Sequence, residues 1–143
     1  MTTATELSLQ TSRVINAPRD RLFDAWLDPK MLATFMTPMP GMPASDVTAD
    51  ARVGGRFLIV MHAGDQDLPH EGTYTTIDRP NRLVFTWESP MSPNDDSTVT
   101  IDFEEVSGGT KVTLNHVRFP NEESRDNHKG GWAHILQCLE NTA

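Results

Sequence analysis

The spacing of apolar residues changes twice in the first third of the chain. From Glu6 to Asn16, the positions Leu7, Leu9, Thr11, Arg13 and Ile15 alternate with polar neighbours, the period of a half-buried strand. Val14 is the one residue out of phase. After Asn16-Ala17-Pro18 the period becomes helical: Leu22, Phe23, Ala25, Trp26 and Leu27 form one stripe, and Pro18 suits a first helical turn. Asp28-Pro29 stops that helix, because the residue before a proline is pushed out of the α region. Pro29 then opens a second helix, Lys30 to Met36. Thr37 to Pro43 holds three prolines and a glycine and reads as a loop, though Met39 and Met42 beside Met36 make it apolar for one.

From Val47 onward the pattern predicts strands separated by short turns: Val47–Arg52, Arg56–Met61, Gly72–Ile77, Arg82–Glu88, Thr98–Val106 and Lys111–Phe119. Ser107-Gly108-Gly109 between the last two marks a β-hairpin. A final helical region begins at Asn121–Asn127 and resumes at Trp132–Leu139, interrupted by Gly130-Gly131. Glycine inside a helix costs roughly 1 kcal/mol relative to alanine, so the pair predicts a kink that lets Trp132 lean over the sheet. Strands joined by short turns give an antiparallel sheet, and segregated helices make the class α+β. Gly54-Gly55 and Gly72 are the places for such a sheet to bend. A bent sheet closed by a helix encloses space, which predicts an internal cavity.

Alternation sorts the strands into faces. Phe57, Ile59 and Met61 share one face, as do Gly72, Tyr74 and Thr76. Leu83, Phe85 and Trp87 form another row, followed by Val99, Ile101 and Phe103, and then Val112, Leu114 and His116. The expected ligand-binding wall is therefore Phe57, Ile59, Met61, Tyr74, Phe85, Trp87, Ile101, Phe103, Leu114 and His116. Trp132 and Leu136 join it from the last helix, with Phe35, Met36 and Met39 at the mouth. His116 stands in an inward apolar row, where a neutral imidazole needs a hydrogen-bond partner. It is either a satisfied structural histidine or a polar contact or general base for a ligand. Tyr74 is either a sheet aromatic with its hydroxyl in water or a second polar tip.

Composition narrows the function. The chain has 143 residues, enough for one domain with a core, 37% hydrophobic residues and seven methionines. A net charge of −8 with no basic cluster argues against nucleic acid or an anionic membrane as partner. No apolar run approaches the ~20 residues of a spanning helix, and no secretory leader is legible. One cysteine, Cys138, excludes an internal disulfide framework and suggests the cytoplasm; it reads as a packed thiol. The histidines His62, His70, His116, His128 and His134 are scattered, so no metal site and no cofactor is expected. No nucleophile elbow or phosphate loop is present, and the acidic residues read as a solvated surface.

The ordered series Ile15-Asn16-Ala17-Pro18, Leu22-Phe23-Asp24-Ala25-Trp26, Asp28-Pro29, Asp50-Ala51-Arg52-Val53-Gly54-Gly55-Arg56-Phe57, Gly72-Thr73-Tyr74, Pro80-Asn81-Arg82-Leu83-Val84-Phe85-Thr86-Trp87, Gly109-Thr110-Lys111-Val112-Thr113-Leu114 and Gly131-Trp132 resembles the START-like, or SRPBCC, helix-grip superfamily. Within it, the series is most similar to homologues of the activator of the ninety-kilodalton heat-shock protein's ATPase. The resemblance implies a β-α-α-β6-α fold, a curved antiparallel sheet wrapped around a long C-terminal helix, with a cavity between them. Where the family usually has a Trp after Asp28-Pro29, this chain has Phe35, which keeps a large aromatic and loses its N–H donor. The eukaryotic activators carry a further N-terminal chaperone-binding domain not seen in this sequence, so a chaperone is the less favoured partner. Three functions are expected in descending order. They are binding of a small, largely hydrophobic ligand (lipid-, polyketide- or aromatic-like), a cyclase- or hydratase-like activity with His116 as acid/base and Tyr74 polarising a carbonyl, and a stress- or chaperone-associated interaction role displaying Met36, Met39 and Met42.

Overall fold

The computed structural model of the protein describes residues 7–37, 41–89, 97–119 and 121–142. The first strand, β1 (Ser8–Ile15), leads into α1 (Arg19–Ala25) and α2 (Pro29–Phe35). Six strands follow: β2 (Asp46–Ala49), β3 (Arg56–Ala63), β4 (Gln66–Asp78), β5 (Arg82–Thr86), β6 (Thr98–Val106) and β7 (Gly109–Val117), and then α3 (Glu122–Thr142). The strands form one antiparallel sheet in the order β1-β7-β6-β5-β4-β3-β2. This is the β-α-α-β6-α helix-grip arrangement, class α+β.

Local chemistry sets the element ends. The Asp28 carboxylate accepts from the Lys30 backbone N–H at 2.9 Å, capping α2, with Pro29 at its first position. The Asp28-Pro29 break that the sequence predicts is therefore also the start signal of α2. At the other end of α2, the Ser45 hydroxyl donates to the Met36 carbonyl.

The inner face of the sheet carries the rows that alternation predicts: Phe57, Ile59 and Met61; Leu83, Phe85 and Trp87; Val99, Ile101 and Phe103; Val112, Leu114 and His116 are all buried. On α3, Trp132, Ile135, Leu136 and Leu139 are buried at i, i+3, i+4, i+7, the stripe of a helix lying on a core. Val14, out of phase in β1, is 49% exposed.

Three local expectations are corrected. β4 is 13 residues long rather than the six of Gly72–Ile77, running back through Pro69 and His70 to pair with β3. Over residues 66–71 β3 is its one partner apart from a bridge between Glu71 and Glu88, and a proline is tolerated in a strand with an open side. A register shift between Tyr74 and Thr76 then breaks the row, so Tyr74 is buried while Thr76 is exposed. Lastly, Gly130 and Gly131 do not interrupt the helix: α3 is continuous for 21 residues.

The glycines differ in what they do. A Cβ on Gly72 would lie 1.9 Å from the Thr86 carbonyl oxygen and 2.9 Å from the Phe57 ring, whereas one on Gly130 or Gly131 would meet nothing within 4 Å. Gly72 thus allows the close approach of β4 and β5 beneath Phe57. Chemical denaturation of alanine variants checks this contrast. Gly130→Ala and Gly131→Ala each raise stability, by up to about 1 kcal/mol, while Gly72→Ala lowers it by ~2 kcal/mol or more through forced backbone movement.

Candidate functional site

The concave face of the sheet is an aromatic surface. Phe57 from β3 packs edge-on against Phe85 from β5 (ring centroids 5.4 Å, interplanar 86°) and touches Tyr74 from β4 at 5.3 Å. Trp87, just past the end of β5, lies 6.0 Å from Phe57 and 4.8 Å from Trp132 of α3. From the helices, Trp26 at the end of α1 approaches Trp132 at 6.4 Å and meets Phe35 of α2 edge-on at 5.1 Å. All three tryptophans thus belong to one cluster.

Between the helices and the sheet remains a space of about 10 Å³, the size of a single water at most. Its wall is Phe57, Ile59, Tyr74, Phe85 and Trp87 from the sheet side, with Trp26, Leu32 and Met36 from the helix side. Six of the expected site residues therefore meet there: Met36, Phe57, Ile59, Tyr74, Phe85 and Trp87. Phe35, Met61, Ile101, Phe103, Leu114, His116, Trp132 and Leu136 are buried in the surrounding core, off this wall. Met39 falls outside the described residues. Met36, expected at a mouth, is 1% exposed and closes the space, so it displays no surface patch with Met42.

Trp26 and Leu32 are wall residues that sequence reasoning missed. Their apolar stripe was legible, but a stripe does not say which members of it border a void. The larger concavity, about 680 Å³, is a solvent-open cleft that shares no residue with this wall and runs from Asn16–Asp20 to Arg79, Pro80, Glu105, Val106, Gly109 and Thr110. Its cations are held locally, Arg79 by two hydrogen bonds to Asp24 (2.7 and 2.8 Å) and Arg19 by Glu105 at 3.6 Å.

A polar chain runs beside the aromatic cluster. The Trp132 indole N–H donates to Nδ1 of His116 at 3.0 Å. An indole can only donate, so the neutral His116 carries its proton on Nε2, which faces the Ser97 hydroxyl in a short hydrogen bond. Both nitrogens are thereby used, and burial pushes the His116 pKa down to about 2. That leaves no free acceptor on this ring for a general-base role. Phe119 packs against His116 at 4.2 Å with the rings tilted by 52°, and His128 meets it edge-on at 5.3 Å. His128 donates from Nδ1 to the Ser124 carbonyl at 2.8 Å, leaving Nε2 to accept from Ser89 at 3.3 Å.

His70, brought inside by the unforeseen length of β4, stacks on Trp87 at 5.0 Å, and burial holds its pKa down to about 4. Tyr74 is driven the other way, up to about 12, by burial and then by Asp50, so its hydroxyl stays protonated. The wall consequently bears no charge.

One pair escaped the sequence reading. His134 and Cys138 stand four apart on α3, with Sγ 3.4 Å from Nε2, and Thr37 Oγ1 lies 3.1 Å from the same nitrogen. The i, i+4 spacing was the available signal. Among the described residues no group of three or more His, Cys, Asp or Glu side chains is placed to hold a metal ion, and no helix is long and apolar enough to cross a membrane.

The sequence, folded in this way, matches the family model described as Activator of Hsp90 ATPase homolog 1-like protein over residues 16–143. The chain belongs to that family. Solved structures share the fold. A protein from Rhizobium leguminosarum is 24% identical, with 98% of this chain and 95% of that one covered and a TM-score of 0.78. One from Chromobacterium violaceum is 24% identical, with 94% and 95% covered and a TM-score of 0.76. The AHSA1-like protein from Aeromonas hydrophila is 23% identical, with 95% and 91% covered and a TM-score of 0.76. No curated protein sequence matches the chain. Relative to the pattern that the sequence resembles, this member of the Hsp90 ATPase activator-like family keeps an aromatic at Phe35 and seats it on Trp26.

The buried histidines give the family member a defined pH response. Unfolded histidine titrates near 6.5; His70, His116 and His128 all titrate lower in the fold. The unfolded chain therefore binds more protons below 6.5, so this stability is complete above about pH 7 and is lost as pH falls. The expected slope approaches ~1.4 kcal/mol per pH unit for each of His70 and His116 below pH 6.5, and His128 adds to it in the same direction. Urea denaturation from pH 7.5 to 5 checks it. A falling midpoint is the expected result, with His128→Gln removing one histidine's share of the slope; a flat profile contradicts it.

Proposed function

We propose that the protein binds a small, largely apolar molecule of lipid, polyketide or aromatic type between the concave sheet and the helices. The observation that carries this reading is the uncharged, mostly aromatic wall around the space enclosed by Phe57, Phe85, Trp87 and Trp26, the composition of sites that take such ligands. Space for a guest comes from the helix side. Met36 and Leu32 are the wall's flexible aliphatic members, and methionine, with three rotatable bonds, repacks readily. The family's fold commonly serves this purpose, which agrees with the reading.

His116 has both nitrogens engaged, and the His134–Cys138 pair faces Thr37 rather than the aromatic wall. A chaperone role, suggested by the family's description, lacks an apolar surface among the described residues: the exposed large hydrophobics Val14, Val53 and Leu58 lie on separate strands and a loop.

Native mass spectrometry with a thermal-shift panel of fatty acids, flavonoids and polycyclic aromatics tests the proposal. A one-to-one complex is expected, with stabilisation of about 2.7 kcal/mol at a free ligand concentration 100 times Kd. Absence of any complex across the panel, together with an unshifted melting temperature, overturns it.

A further inference from the structure

Three buried side-chain nitrogens among the described residues lack a hydrogen-bond partner: Trp26 Nε1, Trp87 Nε1 and His70 Nδ1. Two of them are indole donors, and both of those indoles line the internal space. Trp26 is 2% exposed and Trp87 1%, so neither N–H reaches bulk water. An unpaired buried donor costs about 1–3 kcal/mol. Trp132, between them, shows the alternative, since its N–H is satisfied by His116 at 3.0 Å. The fold therefore satisfies one indole from within and leaves two on the wall of the same space.

The chemistry of that wall is one-sided. The remaining polar group on it is the Tyr74 hydroxyl, which burial keeps protonated. No cationic side chain lines the space to offset a buried anion, and an uncompensated charge there would be expensive. An ammonium group would meet ring faces and one hydroxyl, but no carboxylate lines the space to offset the burial of its charge. What fits is a neutral acceptor oxygen on an apolar frame.

We propose that Trp26 and Trp87 form an acceptor-reading subsite, and that the ligand is a neutral carbonyl compound of aromatic or polycyclic type whose oxygen accepts from these indole N–H groups. This rests on the reading of the space as a binding site and adds the functional group that orients the guest. The indoles select for the oxygen, the surrounding rings hold the frame, and the absence of a cation discriminates against the corresponding acid.

A matched probe set tests it on the intact chain. 2-Acetonaphthone, 2-ethylnaphthalene and 2-naphthoate share one ring system and differ in the presence and charge of the acceptor. Calorimetric titration at pH 8 is expected to give the ketone about tenfold tighter binding than the hydrocarbon, the worth of one hydrogen bond to a buried donor. The naphthoate is expected to bind no tighter than the hydrocarbon. In ¹⁵N-correlated spectra of the unsubstituted protein, the ketone is expected to move the indole N–H signals of Trp26 and Trp87 downfield while Trp132 stays put. Trp26→Phe and Trp87→Phe are expected to weaken the ketone more than the hydrocarbon, so that the ratio of their affinities falls toward one.

Equal affinity for ketone and hydrocarbon, with unmoved indole signals, overturns the subsite and leaves the apolar binding reading standing. Tightest binding by naphthoate overturns the subsite in the same way. Failure of all three probes, and of the wider panel, overturns both. The spectra need no variant, so a substitution that fails to fold does not rescue the proposal.

Discussion

The hydrogen bond from Trp132 to His116 joins the last helix to the end of β7, one strand in from the edge of the sheet, and the inner face is arranged around it. Burying a histidine in an apolar row requires both ring nitrogens to be satisfied. Ser97 takes one from the residue just ahead of the neighbouring strand β6, and Trp132 takes the other from α3. This fixes the tautomer of His116, the rotation of α3 about its axis and the position of the central indole in one step. Ser97 contributes twice, since its backbone carbonyl also accepts from the Trp87 backbone N–H at 2.8 Å. The polar chain and the aromatic wall are thus held by the same few residues.

That arrangement divides the interior into two chemically distinct parts. Around His116 both ring nitrogens and the Trp132 N–H meet partners inside the protein. On the Trp26–Trp87 side the donors do not. A core optimised for stability alone would close both sides alike, since buried unsatisfied groups are few in native proteins. The asymmetry follows the void: it is the side bordered by Met36 and Leu32, where aliphatic helix residues replace interlocking rings.

Much of this was readable from residue spacing, because period-2 and period-3.6 patterns report which side chains face a core. The rows ending at Trp87, Phe103 and His116 lie inward as alternation requires, and Trp132 lies over His116 as its place in the pattern suggests. The exceptions have physical causes. Pro69, Asp67 and Glu71 disguise the first half of β4, since a strand with an open side tolerates proline and charge. The register shift after Tyr74 inverts a row, which no count of residues reveals. Gly130-Gly131 reads as a break only if local propensity decides, and the tertiary packing of α3 outweighs it. Of the site, six wall residues were legible as an apolar set. Which indoles lack a partner was not, because that depends on distances between elements remote in sequence.

The pairing of β1 with β7 sets the order in which the molecule can be made. Ser8 stands opposite Val117, so β1, made before the other six strands, finds its sheet partner only after β2 to β6 have followed. At about 5–20 residues per second, β1 waits several seconds or more with its apolar face uncovered. The pairing also closes the largest loop in the sheet, and contacts of such long sequence separation slow folding. The helical pair α1–α2 and the hairpin β6–β7 are local and can form early. Insertion of β1, followed by docking of α3 across it through Arg13 and Glu140, is the step that completes the grip.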